Sequence, residues 1–183
     1  FKQALKFEAQ KYIPFPIIEI NLDGYILKEN IQDNKMLVLI AAVKKDFINQ
    51  RLKLIENAGI KVNVVDIDSL ALVNAANFNY PGENDEPRNK IIGLLNIGAS
   101  MSNLSILEKG LPVLSRDIPI AGNNFSEKIV DILGIDFKSA ESLKLNPDKE
   151  RLDKVVLALD ATLSNLAGEI RVSFDYYESQ SAS

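Results

Sequence analysis

The 183-residue sequence contains no cysteine, no histidine and no tryptophan. That inventory removes disulfides, thiol nucleophiles, imidazole bases and the usual zinc ligands. Any chemistry must come from carboxylates, hydroxyls, Lys, Arg, backbone amides or a borrowed metal. No run approaches the roughly 20 apolar residues that cross a bilayer, so no direct membrane insertion is expected. Residues 1–15 do not show the basic, apolar and small-residue order of a signal peptide, and a cytoplasmic location is expected. A basic excess is missing too. The net charge of −4 and pI near 5.0 give no broad attraction for phosphate backbones, and nucleic acid is not an expected partner. What is present, 46 % hydrophobic and 25 % charged residues, suits one large or two small globular domains.

Phe1, Leu5, Ala9 and Tyr12 fall on one helical stripe with no capping residue before them, so the chain is expected to begin inside an element. Pro14 and Pro16 stop that helix, and Ile17 to Leu27 reads as a strand. The run "KMLVLIAAV" suits a strand covered on both faces. Lys44 to Asn57 carries Phe47, Ile48, Arg51, Leu54 and Ile55 at helical spacing, with Gly59 as the stop. "KVNVVDI" is expected to be the next strand. Residues 1–66 thus read as a small α/β domain.

Residues 67–89 read as a connection: a helix in "DIDSLALVNAANF", capped by Asp68 or Ser69, and a polar linker, "NYPGENDEPRNK". The linker does not have the alternating oxygen ligands of a calcium loop. Residues 90–183 read as a second domain. Strands are expected at 91–97, 102–107 and 111–118, with a turn at Glu108-Lys109-Gly110. Helical spacing resumes through Phe125, Ile129, Ile132 and Leu133 up to Gly134, and again in "DFKSAESLK". Leu152, Val156, Leu159, Leu163, Leu166 and Ile170 mark a long last helix ending near Tyr177, with "ESQSAS" as a frayed tail. Phe174, Tyr176 and Tyr177 at its end have core packing as the ordinary explanation and an aromatic nucleotide platform as the alternative. Arg116 and Asp117 read as a local ion pair. Spacing places no two carboxylates in one cleft, so no general acid or base is assigned.

The most informative stretch is "LLNIGASMSN". A strand enters a turn of Gly98, Ala99 and Ser100, and an antiparallel strand leaves at Ser102. Glycine permits close backbone approach, successive N–H groups can converge on an anion, and two hydroxyls add donors. This is a physical case for phosphate binding. The alternative is a hairpin whose small residues fit a crowded turn.

"ALKFEAQKYIPFP", "LVLIAAVKKDFINQRLKLIENAGIKVNVVDIDSLALVNA", "LLNIGASMSNLSILEKGLPVLSRDIPIAGNN" and "IRVSFDYY", in this order, closely resemble the PilM family of type IV pilus assembly proteins over essentially the whole chain. The resemblance implies an α/β fragment of an actin-like, ribonuclease H-like fold with a small insertion domain. The family's first phosphate loop would precede Phe1 and its adenosine loop would follow Ser183. It implies ATP with Mg held between two lobes of the parent protein. Gly98, Ala99, Ser100 and Ser102 would contact phosphate, Gly122 would open a helix toward the nucleotide, and Glu141 and Lys144 would reach the ribose or the nucleotide's edge. Alone, Glu141 and Lys144 read as an exposed i, i+3 pair. This stretch by itself is not expected to retain the nucleotide, and unpaired sheet edges favour self-association.

Where the superfamily's loop has an acid, this sequence has Asn96. An amide is a poorer organiser of Mg²⁺ and cannot act as a base, so nucleotide held with weak or no hydrolysis is expected. The alternative is that Asn96 merely caps a strand end in a protein that binds no nucleotide. An active ATPase of the FtsA division type is the enzyme alternative, but such proteins keep the acid and do not carry "FEAQKYIPFP". The resemblance also implies a partner, the short N-terminal cytoplasmic peptide of the membrane protein PilN, which would hold the protein peripherally at the inner membrane. Phe7 lies off the stripe of the first helix, so Phe7, Tyr12, Ile13 and Phe15 are expected to line the groove, within residues 1–30. The alternative for that helix is burial inside its own domain.

Overall fold

The computed structural model describes residues 2–31, 35–80 and 90–181. Two compact units divide the chain, Phe1–Val65 and Asp66–Ser183.

In the first unit, α1 (Lys2–Ala9) buries Leu5 and Ala9. Phe1 lies outside the described residues. Tyr12 does not extend the stripe: the helix ends at Ala9, residues 10–12 form a turn, and Tyr12 is 77 % exposed. A 3-10 turn over Ile17–Glu19 delays the expected strand, so β1 runs Ile20–Ile31. It pairs antiparallel with β2 (Lys35–Lys44), from Ile20 opposite Lys44 to Ile31 opposite Lys35. α1 lies close over β1, because a Cβ on Gly24 would sit 2.8 Å from a Leu5 methyl. β2 is not covered on both faces as expected. It has one strand neighbour, and none of its residues is buried. α2 (Lys45–Asn57) ends before Gly59, whose φ of +77° suits the stop. The strand expected in "KVNVVDI" does not form. Residues 60–67 carry no regular structure and expose Val64 by 80 %. A strand exists through its ladder, and no described strand pairs with this segment.

In the second unit, α3 (Asp68–Asn79) packs on a three-stranded antiparallel sheet of order β3-β4-β5. Its cap is Ile67 and not Asp68 or Ser69, because Asp68 already lies in the first turn, accepting from the Ser69 amide. The strands are β3 (Ile91–Ile97), β4 (Ser102–Glu108) and β5 (Leu111–Ile118). The central strand β4 is buried from Ser102 to Leu107. Lys109 (φ 54°) and Gly110 (φ 78°) form the two-residue turn that matches strand twist. Of the expected linker, residues 79–90, positions 81–89 lie outside the described residues.

Three helices follow: α4 (Gly122–Leu133), α5 (Phe137–Leu145) and α6 (Leu152–Ser181). Ile129, Ala140, Leu143, Val155 and Ala158 join them in one core, while Leu104, Ile118 and Leu166 join α6 to the sheet. The expected stripe on α6 holds at Leu166, which is buried, and at Leu159 and Ile170, which pack against the core, but elsewhere the buried line lies about a quarter turn away. Val155, Ala158, Thr162, Leu166 and Ser173 are buried, whereas Leu152, Val156 and Leu163 are exposed. Small residues on the buried line allow close helix approach, which a search for large side chains passes over. The helix also continues through Glu178 to Ser181, where a frayed tail was expected. The Phe174 ring lies over β3, 3.3 Å from where a Cβ on Gly93 would stand. Tyr176 is exposed.

Candidate functional site

The loop between β3 and β4 is held in shape from inside. Gly98 N–H donates to the Met101 carbonyl at 3.1 Å, and a Cβ on Gly98 would lie 2.7 Å from that same oxygen. Only glycine fits there. The loop then docks on the start of α4. The amides of Gly122 and Asn123 donate to the carbonyls of Gly98 and Ala99 at 2.9 and 2.7 Å. A Cβ on Gly122 would come within 3.2 Å of the Gly98 oxygen, so Gly122 serves this close approach. Two of the amides that a helix N-terminus could offer an anion are therefore already used.

Of the expected phosphate contacts, Ala99 and Ser100 are exposed at the tip, and no hydrogen bond among the described residues occupies their amides or the Ser100 hydroxyl. Ser102 stands differently. It is fully buried, and its hydroxyl donates to the Ile120 carbonyl at 2.6 Å, so it braces the loop from behind.

Asn96 does not merely cap a strand end. It stands opposite Asn103, which stands opposite Asp117. Asn96 Nδ2 donates to Asn103 Oδ1 at 3.3 Å, and Asn103 Nδ2 donates to Asp117 Oδ1 at 2.5 Å. Asp117 does not pair with Arg116 as expected, because neighbours on a strand point to opposite faces. Arg116 reaches α6 instead, with Glu169 Oε2 at 2.5 Å and Ser173 Oγ at 3.0 Å.

Glu141 and Lys144 meet at the first turn of α4. Lys144 Nζ donates to Glu141 Oε2 (2.7 Å), Ser126 Oγ (2.9 Å) and the Gly122 carbonyl (3.1 Å), which accounts for all three ammonium protons. The Ser126 hydroxyl donates to the same Glu141 oxygen. The Lys144 ammonium, and then the Ser126 hydroxyl, hold the Glu141 carboxyl below its ordinary range. The cluster is not the exposed surface pair that spacing alone allows, since the Lys144 side chain is only 19 % exposed. Among the described residues, no group of three or more acidic side chains is placed to hold a metal.

The first unit contains an open apolar cavity of about 430 Å³. Tyr12, Ile13, Pro14 and Phe15 form one wall, and Ile20, Ala42, Val43, Lys44 and Phe47 form the rest. Lys44 stands 4.2 Å from the Phe15 ring centre, and Arg51 stands 4.5 Å from that of Phe47. Phe7 is exposed but does not line the cavity; its ring lies 5.4 Å from the Lys11 ammonium. The end of β2 and Phe47 were not legible as wall residues. Phe47 sits at helical spacing, which marks a helix face without saying what that face meets.

The family model for type IV pilus assembly protein PilM matches residues 1–183. Among solved structures, the chain is similar to a PilM-PilN type IV pilus biogenesis complex, with a TM-score of 0.83 and 26 % identity over 98 % of this chain and 51 % of that one. The chain thus spans about half the length of that relative. Its fold is shared with ethanolamine utilization protein EutJ from Carboxydothermus hydrogenoformans, at a TM-score of 0.51 and 23 % identity, covering 69 % of this chain and 42 % of that one. A curated relative, chaperone protein dnaK3 of Thermosynechococcus vestitus, is 28 % identical over 96 residues, which is 50 % of this chain and 14 % of the chaperone. The architecture is accordingly an α/β portion of the actin-like fold. The chain belongs to the PilM family of type IV pilus assembly proteins.

Proposed function

We propose that the protein is a cytoplasmic platform of type IV pilus assembly that takes the N-terminal peptide of PilN into the apolar groove of its first unit. The observation that carries this reading is the groove itself. An open apolar cavity, flanked by cationic side chains on aromatic rings, lies in the unit where the family resemblance implies the partner contact. Its likeness over 98 % of the chain to a PilM solved with PilN supports the same partner. Through PilN the protein would sit at the inner membrane; among the described residues no helix is long and apolar enough to cross one. Titration of a labelled N-terminal peptide of the cognate PilN should give saturable binding. Phe15→Ala should weaken it at least about tenfold while leaving the fold intact. Absence of binding, or equal binding by the variant, overturns the reading.

The second unit is proposed to supply one side of a nucleotide site. The free amides of Ala99 and Ser100 and the Ser100 hydroxyl fit a phosphate, and Glu141 presents an oxygen to the sugar side. Bound ATP with Mg would contribute its charge and its separation of two states, occupied and empty. Asn96 lowers the negative charge beside it and provides no base, which favours occupancy with weak hydrolysis. Calorimetry with Mg·ATP on the full protein, together with phosphate release, tests this. The expected outcome is binding with little turnover. Indifference to ATP, or brisk cleavage, overturns it.

A further inference from the structure

The three-residue ladder across the sheet has a direction. An ionised carboxylate only accepts hydrogen bonds, so the Asp117 oxygen facing Asn103 must receive the Asn103 NH₂ group. That leaves the Asn103 carbonyl oxygen facing Asn96, and an oxygen there can be met only by the Asn96 NH₂. Asn103 is 5 % exposed, so water does not readily substitute for either neighbour. Each amide is thereby fixed end for end. The Asn96 Oδ1 atom is left over, turned away from the ladder, with no hydrogen-bond donor among the described residues.

We propose that Asp117 is a positioning residue for the loop: acting through Asn103, it holds the Asn96 amide with its carbonyl oxygen outward, so position 96 turns an acceptor away from the ladder while one N–H of its NH₂ stays committed to Asn103. An acceptor suits a water of a hydrated divalent cation and does not suit a bare phosphate oxygen. The amide therefore presents the same kind of atom an acid would, without the charge. This last consequence rests on the nucleotide reading; the orientation itself does not.

A double-mutant cycle in the full protein separates the two. In Asn96→Asp, the new carboxylate meets the Asn103 carbonyl oxygen, and turning Asn103 over would only set that oxygen against Asp117. One bond of the ladder is lost either way. The melting temperature should fall by about 2–4 °C. Adding Asp117→Asn lets the ladder run in reverse, from residue 117 to 96, and should restore most of the loss. The restoration should persist near 1 M salt, where the screening length is about 3 Å and repulsion between two exposed carboxylates is suppressed. As a readout that general destabilisation does not move, Asp117→Asn alone should shift the side-chain NH₂ resonances of Asn96, which it does not touch. An unaffected Asn96→Asp variant, a loss that Asp117→Asn fails to repair, a repair abolished by salt, or a static Asn96 resonance overturns the proposal. For the ligand-facing consequence, Asp117→Asn should narrow the ratio of ATP affinities measured with Mg²⁺ and with chelator. A protein that binds neither form removes the nucleotide reading and leaves the cycle as the test of orientation.

Discussion

The two sheets of this chain solve the same problem in opposite ways. β4 has a strand on each side, helices packed against its sheet, and six consecutive buried residues. The pair β1–β2 buries Ile20 and leaves Tyr25, Met36 and Leu37 largely in solvent. A two-stranded sheet is marginal in water without further cover, so the first unit draws its order from α1 and α2. The second unit carries its own core. The difference teaches that apolar content does not measure self-sufficiency: "KMLVLIAAV" is more hydrophobic than "SNLSILE", yet the latter is the buried strand. Position in the sheet decides.

The contrast can be broken most forcefully at Ile106, which is fully buried on β4. Ile106→Ala should cost about 3 kcal/mol in denaturant unfolding, whereas Leu37→Ala on the exposed part of β2 should cost well under about 1 kcal/mol. Similar losses at both positions would show that the first unit has a core of its own. A smaller effect compares two glycines. Gly98→Ala drives a methyl against the Met101 carbonyl, backbone that is held by the loop, and should cost about 2 kcal/mol. Gly24→Ala presses on the ends of the Leu5 side chain, which can change rotamer, and meets the Leu39 carbonyl only at an ordinary contact distance of 3.4 Å, so it should cost about 1 kcal/mol or less. Thermal melts of the two variants measure the gap.

The smallest expected effect is a dependence on acid. In the second unit, the Ser139 hydroxyl and amide hold Asp136 below its ordinary 3.8, and Lys144 with Ser126 holds Glu141 below its ordinary 4.5. Arg151 does the same for Asp148. A carboxyl whose folded value is depressed stabilises the fold above its unfolded value, and that contribution is lost as pH falls through the folded one. The melting temperature should therefore decline below about pH 4.5, and Ser139→Ala should remove the hydroxyl's part of the Asp136 share of that decline while the backbone amide keeps the rest. An unchanged slope in the variant would mean that the Ser139 hydroxyl does not stabilise the Asp136 carboxylate.

Local signals were legible where the sequence brackets an element with its own punctuation. β3 and β5 fall where "IIGLLNI" and "LPVLSRDI" place them, between turn residues, and Gly134 ends α4 in the left-handed conformation that glycine favours. Other features depend on partners distant in sequence. The Ser102 hydroxyl is taken by a carbonyl 18 residues away, so its chemistry as a free donor could not be judged from the loop. Val64 and Val65 have the composition of a strand and, among the described residues, no ladder to join. The buried line of α6 runs through Ala158, Thr162 and Ser173, whose small size is legible only against the helix and sheet they meet. The Arg116–Asp117 pair was readable and misread: alternation along a strand already separates them.

The seam between loop and helix gives the second unit a mechanical property. With the Gly98 and Ala99 carbonyls clasped by the leading amides of α4, and the first carbonyl of that helix gripped by Lys144, the tip of the hairpin and the last turn of α5 are joined through α4 by an unbroken run of hydrogen bonds. Displacing the tip therefore strains those clasps, which lie between Ser100 and a lysine 44 residues further along the chain.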